Sequence, residues 1–498
     1  MGFPFSLNVP DALAYHGRVV FRYLRFHRGA PLNPSKSTRG YDYTRGSVGW
    51  AITRLSVPIC GERILRNLDG IFEIYWLGRL GADSLAAASL GFITLLFIRS
   101  GPFGLRIAGQ ALVAQRVGAG DAQGASVMAG QTIFLVGVFS LIVAISGYWL
   151  APSLMGLMTQ DPALAALGVV YIRSGFAVLL AVEAMFVIGQ ILRGTGEPGI
   201  TIAGVVASTA LTLVFIPLFM FGWGPVPALG IAGSFLGIGV GRLGGFATML
   251  AFIVKGKSRL RLRWADLRPR ASEISRVARL AWPAMAQNLL ERSALLLMVR
   301  MLSPFGASAL AAWSIGNRVT MIARMPSFGL QSSVRTLVGQ NLGAERPERV
   351  TRTVWLAVAA LGVLMTAASV CLFVWAREIV SFFGMRGNAT AVMALRILCA
   401  GLLMESIRRV MAGAFQGASR SKPPMMVEGV VRWGVQLPAA YLLSFWLAVG
   451  AGGVWWAVSG GQILSGALLL AWFFQWTKSG DVRGFMGARG LKSAREST

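Results

Sequence analysis

The stretch TIFLVGVFSLIVAISGYWLA, residues 132–151, runs for twenty residues without a charge. About 20 apolar residues span the core of a bilayer as a helix, whereas a membrane β-strand needs only about 10. Comparable runs recur along the chain, and none alternates apolar with polar residues. Only 13% of the chain is charged and 55% is hydrophobic, with a mean hydropathy of +0.62. Globular domains carry about 25% charged residues. The chain therefore reads as an all-α membrane protein with many transmembrane helices.

Twelve spans are expected. In the first half they lie at roughly 50–78, 84–112, 127–151, 164–192, 199–222 and 229–254. In the second half they lie at roughly 279–301, 308–338, 351–376, 390–416, 424–447 and 452–476. The halves echo each other. LVAQRVGAGD (112–121) returns as LVGQNLGAER (337–346), with five identities at an offset of 225. GADSLAAASL (81–90) returns as GASALAAWSI (306–315), with six identities at the same offset. Arg99, Phe103, Gly104 and Leu105 answer to Arg324, Phe328, Gly329 and Leu330. So long a period marks a duplicated domain rather than a solenoid of small units. Six spans per half is an even number, so both halves enter the membrane in the same sense. The expected fold is two six-helix lobes related by a parallel internal repeat. The repeated phrase is expected to be a turn after the second helix of each lobe, with its Gly-Ala pair allowing a tight exit.

Loop charge sets the orientation. The loop 255–279 carries nine Lys or Arg, whereas 152–163, 223–228 and 448–451 carry none. Arg79, Arg300, Arg377 and Arg386 run against this trend on the other side. The positive-inside rule places both termini and the 255–279 loop in the cytoplasm of a multi-pass inner-membrane protein. The net charge of +27 is thereby mostly a topology signal, and a nucleic-acid partner is not expected. The expected organisation is a basic N-terminal arm (1–45), an N-lobe (46–254), a basic linker (255–278), a C-lobe (279–478) and a basic tail (479–498). The arm interleaves Arg18, Arg22, Arg25 and Arg28 with apolar residues, which suits a helix lying on an anionic leaflet.

Two glycine-containing phrases carry no phosphate site. AFIVKGKS (251–258) lacks the first glycine of a phosphate loop and ends a membrane helix. RGTGEPG (193–199) reads as a turn with Pro198 opening the next helix. Cys60, Cys371 and Cys399 form no CxxC pair, and neither a disulfide framework nor a metal site is expected. The two histidines, His16 and His27, both lie in the arm, so no histidine relay crosses the membrane.

Interior acids carry the chemistry, because an ionised group at the bilayer centre costs roughly 2.5–3.5 kcal/mol on insertion scales. They are Asp69, Glu73, Glu183, Glu291, Glu405 and Glu428. Glu428 has Arg432 at i+4, Glu405 has Arg408 and Arg409 at i+3 and i+4, and Asp69 has Arg66 at i−3. Glu291 has no basic residue three or four positions away and shares a polar stripe with Gln287 and Asn288. Glu183 is similarly isolated on its helix. Desolvation disfavours a charged carboxylate, so a proton and a cationic ligand compete for such a group. That competition is the minimal physics of an antiporter.

At this point the sequence resembles the multidrug and toxic compound extrusion (MATE) transporters. The resemblance covers about 50–478 and rests on FEIYWLGRLGADSLAA (72–87), LVAQRVGAGD, LRGTGEPG (192–199), LVGQNLGA (337–344) and VRWGVQLPAAYLL (431–443). It implies twelve helices around a central cavity, with cation-coupled export by alternating access. It places family acids on Glu73, Glu291 and Glu405 as coupling residues. Glu291, Glu405, Gln287, Asn288, Glu183 and Asp69 are the expected substrate-binding residues. One departure is Ile216, which precedes Pro217 where some members carry a carboxylate. The expected function is exchange of amphipathic organic cations for H⁺ or Na⁺ by a monomer in contact with membrane lipid. No catalytic residue and no cofactor beyond the coupling ion is expected. The alternative is a flippase for an anionic lipid-linked oligosaccharide or related precursor, which arginines lining the cavity would favour. The interior arginines expected are Arg99, Arg106, Arg173, Arg242, Arg318 and Arg324.

Overall fold

In a computed structural model of the chain, the described residues are 41–479. The expectations for the arm before residue 41 and for the tail after 479 lie outside them. Among the described residues the regular structure is helical apart from one isolated β-bridge, Trp223 with Val226. The N-lobe contains α1 (Val48–Leu80), α2 (Ala82–Ile98), α3 (Ser100–Gly118), α4 (Ala122–Gly156), α5 (Pro162–Ala177), α6 (Leu179–Thr195), α7 (Pro198–Phe221) and α8 (Ile231–Val254). The C-lobe contains α9 (Ala271–Leu302), α10 (Gly306–Ala323), α11 (Met325–Gly343), α12 (Pro347–Val374), the short α13 (Ala376–Phe382), α14 (Ala389–Ala400) and α15 (Leu402–Gly417). It closes with α16 (Lys422–Gly429), continued through π-helical turns to Trp446, and α17 (Ala451–Lys478). The pairs α2–α3, α5–α6, α10–α11 and α14–α15 are broken rods, which makes twelve crossings. Among the described residues seven helices, or nine with the two strongly bent pairs, are long and apolar enough to cross a membrane.

Local chemistry sets the helix starts. Ser47, Asp121, Asp161 and Asn388 cap their helices with side-chain oxygens that accept from the first-turn backbone. Pro162, Pro198 and Pro347 occupy first-turn positions, where the missing N–H costs nothing. The sequence reads as one span over 84–112, yet the rod bends by 44° at Arg99. Pro102 has no N–H for the carbonyl of Ile98, and Pro326 has none for that of Ile322, just beyond the break at Arg324. The two breaks fall on Arg99 and Arg324, which are repeat mates.

The lobes exchange helix ends. Val48, Ile52 and Leu55 at the start of α1 pack with Val334, Leu337 and Val410 of the C-lobe core. Val277 and Leu280 at the start of α9 pack with Leu105, Ala108 and Met128 of the N-lobe core. Leu55 and Leu280 stand 225 apart, so the exchange obeys the repeat. The linker lies against the N-lobe. Glu197 accepts from Ser258 Oγ (2.5 Å) and the Arg259 backbone (2.9 Å), and Gln131 donates to the carbonyls of Asp266 and Arg268 (2.8 Å each).

The repeated phrase turns out to be a seam between lobes as well as a helix exit. A Cβ on Gly118 would overlap the Gln340 carbonyl, and one on Gly343 would overlap that of Gln115. Gln115 and Gln340 are themselves repeat mates. Gln115 Nε2 donates to Gly417 O at 2.8 Å, and Gln340 Nε2 donates to Gly194 O at 2.9 Å. The left-handed backbone of the turn falls later, at Gly120 (φ 76°) and at its mate Glu345 (φ 57°). The two helical glycines thus serve close approach, not chain reversal.

Candidate functional site

Seven carboxylates lie in the helical interior: Glu62, Asp69, Glu73, Glu183, Glu291, Glu405 and Glu428. Helical geometry predicts partners only within a turn, and the structure adds partners from other helices. In the N-lobe, Arg193 Nη1 donates to both oxygens of Glu62 at 2.6 Å, and Arg66 also pairs with Glu62. Arg66 is therefore taken by Glu62, one turn before it, and not by Asp69 as the sequence spacing suggested. Asp69 pairs instead with Arg242 at 2.8 Å, across from α8. Glu183, isolated on its own helix, lies 3.0 Å from Arg106 and 3.5 Å from Arg99. Arg66, Arg99, Arg106 and Arg242 all stand 4.5–5.8 Å from the Phe186 ring centroid. A ring face attracts such cations, which holds four guanidinium groups around one side chain.

Glu73 differs. It accepts from Tyr171 Oη at 3.0 Å and from Ser234 Oγ at 2.7 Å, both onto Oε1. No arginine makes an ion pair with it among the described residues. It is buried, and its two partners come from α5 and α8.

In the C-lobe the acids merge into one network. Arg408 is 2% exposed and donates to Glu405 (2.7 and 2.8 Å) and to Glu428 (2.7 Å). Arg432 pairs with Glu428, as the spacing predicts. Arg409 reaches Glu405 at 2.8 Å and Glu291 at 3.2 Å, while Arg324 stands 3.9 Å from Glu405. Glu291 is thus not free of basic partners. None lies within a turn on its own helix, but Arg409, Arg408 (3.9 Å) and Arg432 (3.7 Å) reach it from elsewhere. Its side chain remains 28% exposed. Asn288 accepts from Arg292 at 2.8 Å, and Gln287 accepts from Gln416 at 3.3 Å, so the polar stripe is also engaged. Arg63 and Arg409 both stack on Phe328, at 4.2 and 4.4 Å.

Two groups escaped the sequence reading. Glu62 is not among the interior acids expected from the sequence, yet it is buried and held by Arg193 and Arg66. Arg335 is buried and has no carboxylate partner among the described residues, donating instead to Gln416 (2.7 Å) and Gln110 (2.7 Å). Gln110 is the repeat mate of Arg335, so this bond crosses between equivalent positions of the two lobes. That relation was the available signal. Of the arginines expected inside, Arg173 stacks on Tyr148 near the surface and Arg318 is exposed. The interior set is Arg63, Arg66, Arg99, Arg106, Arg193, Arg242, Arg292, Arg324, Arg335, Arg408, Arg409 and Arg432, twelve guanidinium groups against seven carboxylates. Nothing among the described residues groups three metal-binding side chains.

Comparison with known proteins agrees with this architecture. The MatE family model matches residues 58–218 and 283–442, two segments that start 225 apart. A relative from Deinococcus radiodurans, a probable multidrug resistance protein NorM, is 26% identical over 446 residues, covering 86% of this chain and 96% of that protein. An FAD transporter from Shewanella oneidensis is 26% identical over 364 residues, covering 68% of this chain and 74% of that protein. Among solved structures, a MOP superfamily transporter from Pyrococcus furiosus, described as having a binding pocket of reversed polarity that suggests a different function, superposes with a TM-score of 0.82 at 21% identity. The alignment covers 89% of this chain and 99% of that one. Two family matches in register with the repeat, over a two-lobe helical fold, decide the matter: the chain belongs to the MatE family, whose members are transporters and not enzymes.

Proposed function

We propose that this protein exports amphipathic organic anions by alternating access, driven by protons taken up at Glu73. The observation that carries the reading is the charge balance of the interior. Six of its seven carboxylates already face arginines, and the arginines outnumber them twelve to seven. A cationic substrate meets an excess of like charge and has to displace a guanidinium from a carboxylate it already holds. An anion meets unneutralised groups such as Arg335. The resemblance alone suggests cations, and the charge balance argues for the opposite sign. The Shewanella oneidensis relative is named for FAD, whose diphosphate is anionic.

Glu73 suits the coupling role because neutral hydroxyls, not arginines, hold it. Protonation there is not opposed by an existing ion pair. With the basic linker in the cytoplasm, the close approach of the lobes at Gly118 and Gly343 supports a seal on that side. The lipid-linked flippase shares the anionic sign and differs in its cargo.

The test is uptake into inside-out vesicles with an acidic lumen. A sulfonated fluorescent dye should accumulate and a quaternary-ammonium dye of similar size should not. Accumulation of the cation alone refutes the sign of the substrate. A lumen kept at equal pH but loaded with Na⁺ that still drives uptake refutes the proton.

A further inference from the structure

A second feature lies in the C-lobe, far from these clusters and on the side away from the linker. A groove of about 1050 Å³ runs between the end of α12, α13, the start of α14 and one face of α17. Its apolar walls include Val370, Phe373, Met393 and Trp456, all of them exposed. Three arginines also line it: Arg377, Arg386 and Arg396. No acidic residue lines it. Arg377 and Arg386 make no ion pair among the described residues and are exposed. Arg396 is held in place, donating Nε to the Phe373 carbonyl at 3.3 Å and stacking on the Phe373 ring at 5.0 Å. Two of these arginines, Arg377 and Arg386, are the ones that break the positive-inside pattern of the chain.

The fold itself does not demand them. At the repeat offset of 225, the N-lobe has Pro152, Asp161 and Tyr171 in the equivalent places. There Asp161 caps α5 and Tyr171 bonds Glu73, and Arg173 on Tyr148 echoes Arg396 on Phe373, so that the same scaffold carries one such arginine and not three. Trp375 and Trp456 are more than half exposed next to the groove, as side chains at a bilayer interface are. An apolar trough open toward lipid and rimmed by three unneutralised guanidinium groups is complementary to one ligand class. Its volume also falls in the range of small-molecule sites.

We propose that this groove is a binding site for an anionic phospholipid of the outer-side leaflet. The phosphate docks on Arg377, Arg386 and Arg396, and the acyl chains lie over Phe373, Val370 and Met393. The site is separate from the transport pathway and does not depend on the sign of the substrate. Fixed positive charge attracts an anionic headgroup, and each arginine near it adds about fivefold. The expected preference for anionic over zwitterionic lipid is therefore at least about tenfold.

The experiment uses the full-length protein, delipidated and titrated with phosphatidylglycerol or phosphatidylcholine while bound lipid is counted by native mass spectrometry. Phosphatidylglycerol should bind in preference. Arg377→Gln, Arg386→Gln and Arg396→Gln combined should abolish the preference. Arg79→Gln with Arg300→Gln, which neutralise outer-side arginines elsewhere, should leave it intact. Melting temperature and size-exclusion profile verify that each variant is folded. Should the triple variant misfold, Arg377→Gln with Arg386→Gln, which alters exposed side chains only, must still weaken the preference severalfold. An unchanged preference in folded variants overturns the site. So does equal binding of both lipids by the native protein, or equally tight binding of free glycerophosphate, which would show a headgroup site with no use for the trough.

Discussion

The two lobes share a backbone plan and differ in what they do with charge. In the N-lobe, Glu62, Asp69 and Glu183 each have their own arginines, and Glu73 has none. In the C-lobe, Glu291, Glu405 and Glu428 are tied through Arg408, Arg409 and Arg432 into one network with no acid left over. A duplicated scaffold therefore separates two tasks. On the proposed reading, the N-lobe keeps one carboxylate available for a proton, while the acids of the C-lobe are all held in ion pairs. Where the lobes meet they return to symmetry: Gly118 against Gln340 mirrors Gly343 against Gln115.

The largest effect is expected from breaking the C-lobe network. Arg408→Ala removes the buried link between Glu405 and Glu428, leaving them to Arg409 and Arg432, and removing one partner of a buried pair costs up to about 3–5 kcal/mol. The folded yield and melting temperature in detergent should both fall sharply. Normal stability would show that the network is not what holds this lobe. Next comes the N-lobe proton site. Glu73→Gln removes the titrating group but keeps the shape, so vesicle uptake under a pH gradient should drop to the leak rate while dye binding survives. Coupled uptake that persists in this variant would move the proton elsewhere.

The seam then tests the symmetry. Gly118→Ala and Gly343→Ala each insert a methyl against a backbone carbonyl, an overpacking cost of about 1–3 kcal/mol. Each should open the linker-side closure, read as faster alkylation of a cysteine placed at the buried Ser332. Unequal responses to the two substitutions would break the symmetric account. The smallest effect belongs to Glu291→Gln. Glu291 is partly exposed, and exposed pairs are worth up to about 1 kcal/mol. Transport should change by less than about fivefold. Complete loss of gradient-driven uptake at matched expression would give the C-lobe the coupling role assigned here to Glu73.

Much of this was legible in the sequence, and the limit has a physical cause. Apolar runs and the offset of 225 gave the crossings and the two lobes. Local pairs were legible too, since Glu428 with Arg432 and Glu405 with Arg408 obey helical spacing. Pairs between helices were not. Asp69 with Arg242 and Glu62 with Arg193 are separated by 173 and 131 positions, and no periodicity announces which helices touch. Glu291 and Glu183 looked isolated for that reason. The 44° bend at Arg99 was missed as well, although Arg99 and Pro102 interrupt the apolar run there.

The central claim is that the interior selects an anion. Equilibrium binding to the purified protein tests it most directly, with two fluorescent ligands of one aromatic scaffold, one carrying a sulfonate and one a quaternary ammonium. The account predicts that the sulfonate binds at least about tenfold more tightly, a difference of about 1.4 kcal/mol, and that salt weakens it. Tighter binding of the ammonium ligand would contradict the account.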